Sequence, residues 1–265
     1  MIIRNKSFES GTHVMAIINL TPDSFFELSR VKGELQVLDR AEKAIINGAE
    51  ILDLGAQSTR PGHTPVSAKE EIERFANIIS SIRSHFPDIP ISIDTYYHEV
   101  AKYALDQGAD LINDIWGLQY DNGEMAKVIA KYDASCCLMH NSTTGVYKDY
   151  WDDVISFLRK SLEIAKEAKI DPNKICLDGG VGFGKNVDEC WEMLNNYDKL
   201  NVLGYPLLLG TSRKRMFGGD PLDRLKPTLD STLTACKKNI LFVRVHDVKE
   251  NKEVIDNYYA NNNRN

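Results

Sequence analysis

Short apolar runs that end in one polar or glycine residue recur along the chain. They are separated by roughly 20 to 40 residues, and most of the intervals carry the apolar spacing of an amphipathic helix. Eight such strand and helix units in succession predict an α/β protein, a (β/α)8 TIM barrel built as a single domain. The runs occupy residues 14–19, 51–55, 91–94, 111–114, 136–140, 175–178, 207–210 and 241–246.

The chain of 265 residues suits one such barrel, which takes about 250 residues. Residues 1–13 are expected to form a lead-in, a small hairpin that closes the bottom of the barrel. The Asn-rich residues 258–265 are expected to fray. Residues 219–239 contain Pro221 and Pro227 and give the poorest helical pattern between strands.

Composition narrows the class of protein. The chain is 43% hydrophobic and 26% charged, as in ordinary soluble globular proteins. A net charge of −6 argues against a large nucleic-acid surface. The start of the chain lacks a leader pattern and no apolar run approaches a membrane span, so a cytoplasmic protein without membrane partners is expected. The five cysteines show no paired metal spacing and are expected to be reduced structural thiols.

Polar side chains end three of the predicted strands. Asp94, Asn113 and Asp178 would meet at the C-terminal face, where barrel active sites are built. Two carboxylates and an amide can bind the donors and acceptors of a heterocycle. Alternatively, Asp94 caps the helix beginning near residue 97, and Asp178 only starts a turn. His140 ends the fifth run, and the favoured reading is a hydrogen-bonded histidine beside a loop.

Two loops and the last strand carry groups that suit an anion. Residues 58–62 join two hydroxyls, Arg60 and a Pro-Gly corner, although an exposed arginine there is also compatible with simple solvation. Residues 211–218 combine hydroxyls and three cations with an expected helix start. Arg244 and His246 are two residues apart on the eighth strand and therefore share a face.

Taken together, these blocks resemble the signature motifs of the bacterial dihydropteroate synthases. They occur in the order of that family and extend over almost the whole chain. The resemblance rests on residues 18–25, 58–62, 92–95, 112–115, 177–185, 210–214 and 244–248.

The resemblance implies an enzyme that joins 6-hydroxymethyl-7,8-dihydropterin diphosphate to p-aminobenzoate, forming 7,8-dihydropteroate and releasing diphosphate for folate synthesis. It also implies Mg²⁺ as cofactor with Asn19 as its ligand, a homodimer, and a sulfonamide target. Catalytic roles would fall to Asp23, Arg60, Asp94 and Lys214. Pterin would be bound by Asp94, Asn113, Met139, Asp178, Gly182 and Lys214. Diphosphate would be bound by Asn19, Thr59, Arg60, Arg244 and His246. The p-aminobenzoate would be bound by Phe25, Thr59, Pro61, Phe183, Ser212 and Lys214.

The chain departs from the family pattern at three places. Gly179 stands where the family commonly has proline, which should loosen the loop behind Asp178. Arg215 stands where many members carry a small hydroxyl residue, and residues 218–240 lack the expected alanine-rich helix. Two alternative functions are a methyltetrahydrofolate methyltransferase and a barrel that binds pterin without turnover. Neither needs the diphosphate-binding groups at residues 58–62, 212–214 and 244–246.

Overall fold

In the computed structural model, which describes residues 1–20, 30–57 and 66–262, eight parallel strands close into a barrel. Around the barrel the order is β10-β3-β4-β5-β6-β7-β8-β9, so each strand pairs with its sequence neighbours and β10 pairs with β3. The TIM barrel is thus confirmed. The strands are β3 His13–Asn19, β4 Ile51–Gly55, β5 Ile91–Asp94, β6 Leu111–Asp114, β7 Ser135–Met139, β8 Ile175–Asp178, β9 Leu207–Leu209 and β10 Phe242–Val245.

Helices cover the outside of the barrel. The apolar side of each strand that faces away from the barrel axis packs against them in one continuous core. Their bounds are α1 Arg30–Ile46, α2 Ala68–Phe75, α3 Ile78–His85, α4 His98–Asp106, α5 Glu124–Lys131, α6 Tyr150–Glu167, α7 Val187–Asn195, α8 Leu225–Lys237 and α9 Val248–Asn262.

A small antiparallel hairpin, β1 Ile2–Ile3 with β2 Lys6–Ser7, precedes the barrel, as expected for the lead-in. Ile3 from the hairpin and Phe8 just after it are buried in one cluster with inward-facing strand residues such as Met15 and Phe242. The hairpin therefore closes the end of the barrel where the strands begin, which leaves the opposite end open for a site.

Along a strand, every second side chain faces the barrel interior. In β10 the inward series runs from Phe242 to Arg244, and His246 follows just after the strand. In β8 it runs from Cys176 to Asp178. The interior is therefore apolar where the strands begin and polar at their C-terminal ends. Register places Asp94 beside Asn113 and Met139 beside Asp178, so these side chains reach the mouth at similar heights.

The C-terminal part of the chain is more regular than its local sequence pattern indicates. Residues 225–237 do form a helix, because Pro227 lies in its first turn, where an intrahelical N–H partner is not required. Its small polar side chains pack against α9, as when Thr232 donates to Asn251 Oδ1 at 2.6 Å. Fraying was expected for residues 258–265, but residues 258–262 continue α9, and the Tyr259 hydroxyl lies 3.2 Å from Thr12 Oγ1.

The cysteines agree with the expectation of reduced structural thiols. All five cysteines are buried free thiols. No helix in the described part of the chain is long and apolar enough to cross a membrane.

Candidate active site

Arg244 links two carboxylates inside the open end of the barrel. Its Nη2 donates to Asp94 Oδ2 at 2.6 Å, and its Nε donates to Asp53 Oδ2 at 2.6 Å. Ser92 completes the cluster by donating to Asp53 Oδ1 at 2.5 Å. Asp94 therefore faces the site and does not cap α4, whose N-cap residue is Tyr97.

The protonation of this cluster follows from burial and charge. Burial raises the pKa of Asp94 above its ordinary value, Arg244 opposes the rise, and Asp53 adds to it. Burial lowers the pKa of Arg244, but the two carboxylates raise it more, so the guanidinium stays charged. Asp94 Oδ1 is buried without a hydrogen-bond partner among the described residues. An acceptor thus remains available to a ligand.

Asp178, at the end of β8, is held at one oxygen. Its Oδ1 accepts from the Gly180 amide at 2.7 Å and from the Tyr197 hydroxyl at 3.0 Å. Its Oδ2 lies 3.6 Å from the point that a Cβ on Gly210 would occupy, on the wall formed by β9. Burial raises the pKa of Asp178, and the nearby Lys214 ammonium opposes that rise.

Lys214 reaches the same region from the loop after β9. Its ammonium donates to the Val181 carbonyl and lies 4.7 Å from the centre of the Phe183 ring. Gly182 has φ +82°, and a Cβ there would lie 3.3 Å from Lys214 Cδ, so glycine leaves room for the lysine stem. Burial lowers the pKa of Lys214 to about 8, while Asp178 raises it.

An apolar wall stands beside these charges. Met139 packs in one buried cluster with Tyr96 and Ile115, and Phe183 packs against that cluster. Asn113 is 5% exposed, beside Asp94. A flat heterocycle needs such a surface for its faces, and the carboxylates and the amide for its edges.

Of the predicted diphosphate residues, Asn19, Arg244 and His246 lie in the described part of the chain, at the C-terminal ends of their strands. Asn19 ends β3 with its side chain half-buried. His246 Nδ1 lies 2.9 Å from Ser212 Oγ, and the His246 amide donates to the same oxygen at 3.1 Å. Ser212 is therefore hydrogen-bonded to His246, a residue predicted to bind diphosphate. Ser212 itself is predicted to contact p-aminobenzoate.

The loop after β9 differs from the expected helix start. A three-residue 3-10 helix, Arg215–Phe217, follows Lys214, and α8 begins only at Leu225. Arg213 donates two hydrogen bonds to the Asp247 carboxylate, at 2.8 and 2.7 Å. Arg215 is exposed to solvent. Of the three cations, only Lys214 enters the charged cluster.

Residues 21–29 and 58–65 lie outside the described part of the chain. The expectations for Asp23, Phe25, Thr59, Arg60 and Pro61 therefore stay predictions.

Sequence reasoning missed several groups of the site. Asp53 lies within the predicted run of residues 51–55 and received no role, although a buried acid within an apolar strand requires a cation. Tyr197 lies in a 3-10 helix, Tyr197–Leu203, and no sequence pattern links it to Asp178. Gln57 donates to Glu71 at 2.8 Å behind the second strand, and both side chains are buried.

His140 is hydrogen-bonded, as favoured from the sequence. Its Nδ1 lies 2.7 Å from the Lys185 ammonium, which also donates to the Phe183 carbonyl. Burial and the neighbouring Lys185 lower the pKa of His140 to about 3, so its ring is neutral and accepts the bond. Burial lowers the pKa of Lys185 to about 7.

Comparisons with known proteins agree with this geometry. The family described as "Pterin binding enzyme" matches residues 15–246. A dihydropteroate synthase of Clostridium beijerinckii is 45% identical, covering 95% of this chain and 95% of the relative.

Two solved structures are also similar. A dihydropteroate synthase from Clostridium difficile, in the presence of pteroic acid, has a TM-score of 0.91 and 41% identity, covering 96% of this chain and 98% of its own. The enzyme of Xanthomonas albilineans with 4-aminobenzoic acid has a TM-score of 0.87 and 31% identity, covering 94% and 93%. The barrel, its charged mouth and these similarities show that the chain belongs to the dihydropteroate synthases of the pterin-binding enzyme family, which condense a dihydropterin diphosphate with p-aminobenzoate.

Proposed function

We propose that the charged mouth of the barrel carries out this condensation with its residues divided between the pterin, the diphosphate and the amine. The observation that carries the proposal is the convergence of Asp94, Asp178, Lys214 and Arg244 at the one open end of the barrel. None of these groups is paired with a nucleophile, as a reaction that forms no covalent enzyme intermediate requires.

The pterin ring would lie against Met139 and Phe183, with its edges at Asp94, Asn113 and Asp178. Asp94 Oδ1 supports this role, because a buried acceptor without a protein donor is costly unless a ligand supplies one. Asp178 supports it as well, since the hydrogen bonds that it accepts from Gly180 and Tyr197 both go to Oδ1, which leaves Oδ2 facing β9 and the site. Lys214 would contact the pterin ring, and Gly182, which packs against the Lys214 side chain, would lie close to the same ring.

Arg244 and His246 would bind the diphosphate. Arg244 is bonded to Asp53 and Asp94, so it would keep Asp53 and turn Nη2 from Asp94 towards a phosphate oxygen. A guanidinium has several donors in one plane and suits this exchange. Asp94 would then be free to balance positive charge on the pterin.

The reaction breaks the bond between the pterin methylene carbon and the diphosphate oxygen, and the bonding electrons leave with diphosphate. The methylene carbon becomes cationic and is stabilised by the pterin and by Asp94. The neutral amine of p-aminobenzoate attacks that carbon and then loses a proton to solvent. Since an aryl amine is nucleophilic when neutral, positioning and electrostatics supply most of the catalysis.

Mg²⁺ would be bound with the diphosphate. Within residues 1–20, 30–57 and 66–262 no group of three or more His, Cys, Asp or Glu side chains could hold a metal ion by itself. Asn19 offers an amide oxygen on the rim, which fits a Mg²⁺ ion held by one protein ligand and phosphate oxygens. The ion would neutralise charge on the leaving diphosphate.

Three further properties are proposed from the family resemblance. They are a homodimer, a cytoplasmic location, and inhibition by sulfonamides that occupy the p-aminobenzoate site beside Phe183 and Ser212. Measuring the Ki of a sulfonamide against the KM of p-aminobenzoate tests the last of these.

The test of the proposed function follows diphosphate release from hydroxymethyl-dihydropterin diphosphate with Mg²⁺, with and without p-aminobenzoate, and dihydropteroate in parallel. We expect equal amounts of the two products. Asp178→Asn should abolish both and weaken pterin binding in calorimetry. Asp121→Asn, a change in a carboxylate that caps residues 123 and 125, is the matched control and should leave pterin affinity unchanged. Equal pterin affinity in the Asp178 variant and the wild type would refute the assignment.

A further inference from the structure

The Tyr197 hydroxyl lies at the back of Asp178 with three polar partners. The Gly179 amide donates to it at 2.8 Å, and it is within hydrogen-bond distance of Asp178 Oδ1, at 3.0 Å, and of the Leu208 carbonyl. Tyr197 is completely buried. A phenol this deep in a core is costly to bury unless its hydroxyl is satisfied on all sides, as it is here.

The hydroxyl has one hydrogen to donate. Asp178 Oδ1 and the Leu208 carbonyl are both within reach of this hydrogen, and an ionised carboxylate is the stronger acceptor, which favours donation to Asp178 when that group is charged. The Gly179 N–H occupies a lone pair of the phenol oxygen and fixes its direction. Burial raises the pKa of Tyr197 well above its ordinary value, so the phenol remains a donor throughout the neutral range.

Gly179 makes this arrangement possible. A Cβ at position 179 would lie 2.7 Å from Met193 Sδ, 3.0 Å from Tyr197 Cε2 and 3.1 Å from Leu200 Cδ1. A proline there would also remove the N–H that the phenol accepts. Gly179 therefore contributes both its missing side chain and its amide to the packing behind Asp178, whereas the expected loosening of the loop stays a prediction.

We infer that Tyr197 is a positioning residue for pterin binding: it holds Asp178 Oδ1 so that Oδ2 meets the ligand, and Gly179 is the residue that admits it. The inference rests on the proposed role of Asp178. Tyr197 enters from the segment after α7, away from the mouth, and acts only through the carboxylate and its loop.

The charges around Asp178 give the inference a readout that plain packing would not move. Lys214 and Lys185 favour the ionised carboxylate, as does the Tyr197 hydrogen bond, and Asp94 lies in the same charged cluster. Removing the hydroxyl should raise the pKa of Asp178. Pterin binding should then be lost at a higher pH as the solution is acidified.

The experiment compares Tyr197→Phe with the wild type by calorimetry with hydroxymethyl-dihydropterin from pH 5 to pH 8, and by steady-state kinetics. We expect about tenfold weaker pterin binding at neutral pH, as for loss of one hydrogen bond to a charged group, and an upward shift of the pH at which binding is lost. The KM for p-aminobenzoate should be unchanged. Tyr150→Phe is the matched control, since Tyr150 donates at 2.9 Å to the Glu189 carbonyl away from Asp178.

The outcomes separate this inference from the proposed function. If Asp178→Asn weakens pterin binding but Tyr197→Phe stays within twofold of the wild type, the inference is overturned and the proposed function stands. If Asp178→Asn has no effect, both fail. A loss shared equally by pterin and p-aminobenzoate, or by the Tyr150 control, also overturns it. Should Tyr197→Phe not fold, Gly179→Ala replaces it, because the added Cβ displaces the ring while the amide remains.

Discussion

Replacing Arg244 by alanine should destabilise the barrel most at neutral and alkaline pH. The guanidinium makes two contacts of 2.6 Å with Asp53 and Asp94, whose side chains are 0% and 6% exposed. Its removal leaves two buried carboxylates within one cluster, and among the described residues Lys214 is the cation that remains near Asp94. The remaining polar partner of Asp53, Ser92, cannot replace a charge.

The size of the effect follows from buried ion pairs. Removing one partner of such a pair costs about 3–5 kcal/mol, because the charge left behind is uncompensated. The variant escapes part of this cost by binding a proton in the folded state. Each additional bound proton changes the free energy of unfolding by about 1.4 kcal/mol per pH unit, and stability then rises as pH falls. The deficit relative to wild type should shrink by roughly 2 kcal/mol between pH 8 and pH 5.

Urea unfolding followed by tryptophan fluorescence at pH 8 and pH 5 measures this deficit. Arg213→Ala is the control, because that arginine has the same two-contact geometry with Asp247 but its pair is 27% and 18% exposed. Its loss should cost about 1 kcal/mol with little dependence on pH. A deficit for Arg244→Ala that is the same at both pH values would refute the reasoning, since it would mean that no proton is taken up.

Two further predictions concern titration. The kcat/KM for the dihydropterin diphosphate should fall in acid as Asp94, with its raised pKa, and Asp178 bind protons, and should fall above about pH 8 as Lys214 loses its charge; a flat profile from pH 5 to 9 would contradict both assignments. Burial raises the pKa of Glu71 to about 8 in the folded protein. Because the unfolded chain releases this proton at a lower pH, the free energy of unfolding decreases as pH rises towards 8. Glu71→Gln keeps an acceptor for Gln57, and urea unfolding should show a stability gain that grows between pH 5 and pH 8 by about 1.4 kcal/mol per pH unit; a constant difference would contradict the raised pKa.

The fold was predictable because each strand carries its own signal. An apolar run that stops at Asn19, Asp94 or Asp178 marks both a strand and the end of the barrel at which it opens. The helices after β9 were harder, because α8 buries small polar residues such as Thr232 that satisfy one another only once α9 is in place. Tertiary packing there overrides a weak local pattern.

The polar ends of the strands were also predictable, but their partners were not. Spacing places Arg244 and His246 on one face. Whether Arg244 reaches Asp53 and Asp94 depends on the stagger of β4 and β5, which lie two and three strands from β10 around the barrel. Tyr197 arrives from outside the strands altogether. A sequence shows which groups enter an interior, whereas hydrogen bonds between them depend on distances of a few tenths of an ångström.

The mouth of the barrel holds three carboxylates, Asp53, Asp94 and Asp178, against the cations of Arg244 and Lys214. With all five groups ionised, these side chains have a net charge of −1. If a diphosphate takes over the Arg244 donor that Asp94 accepts, the negative charge of Asp94 loses its nearest cation. The cation that would form on the pterin when diphosphate leaves has the sign that restores the balance at Asp94. In the proposed mechanism the site would therefore become more complementary to the reacting pterin as the bond breaks, which would lower the barrier without a base or a nucleophile.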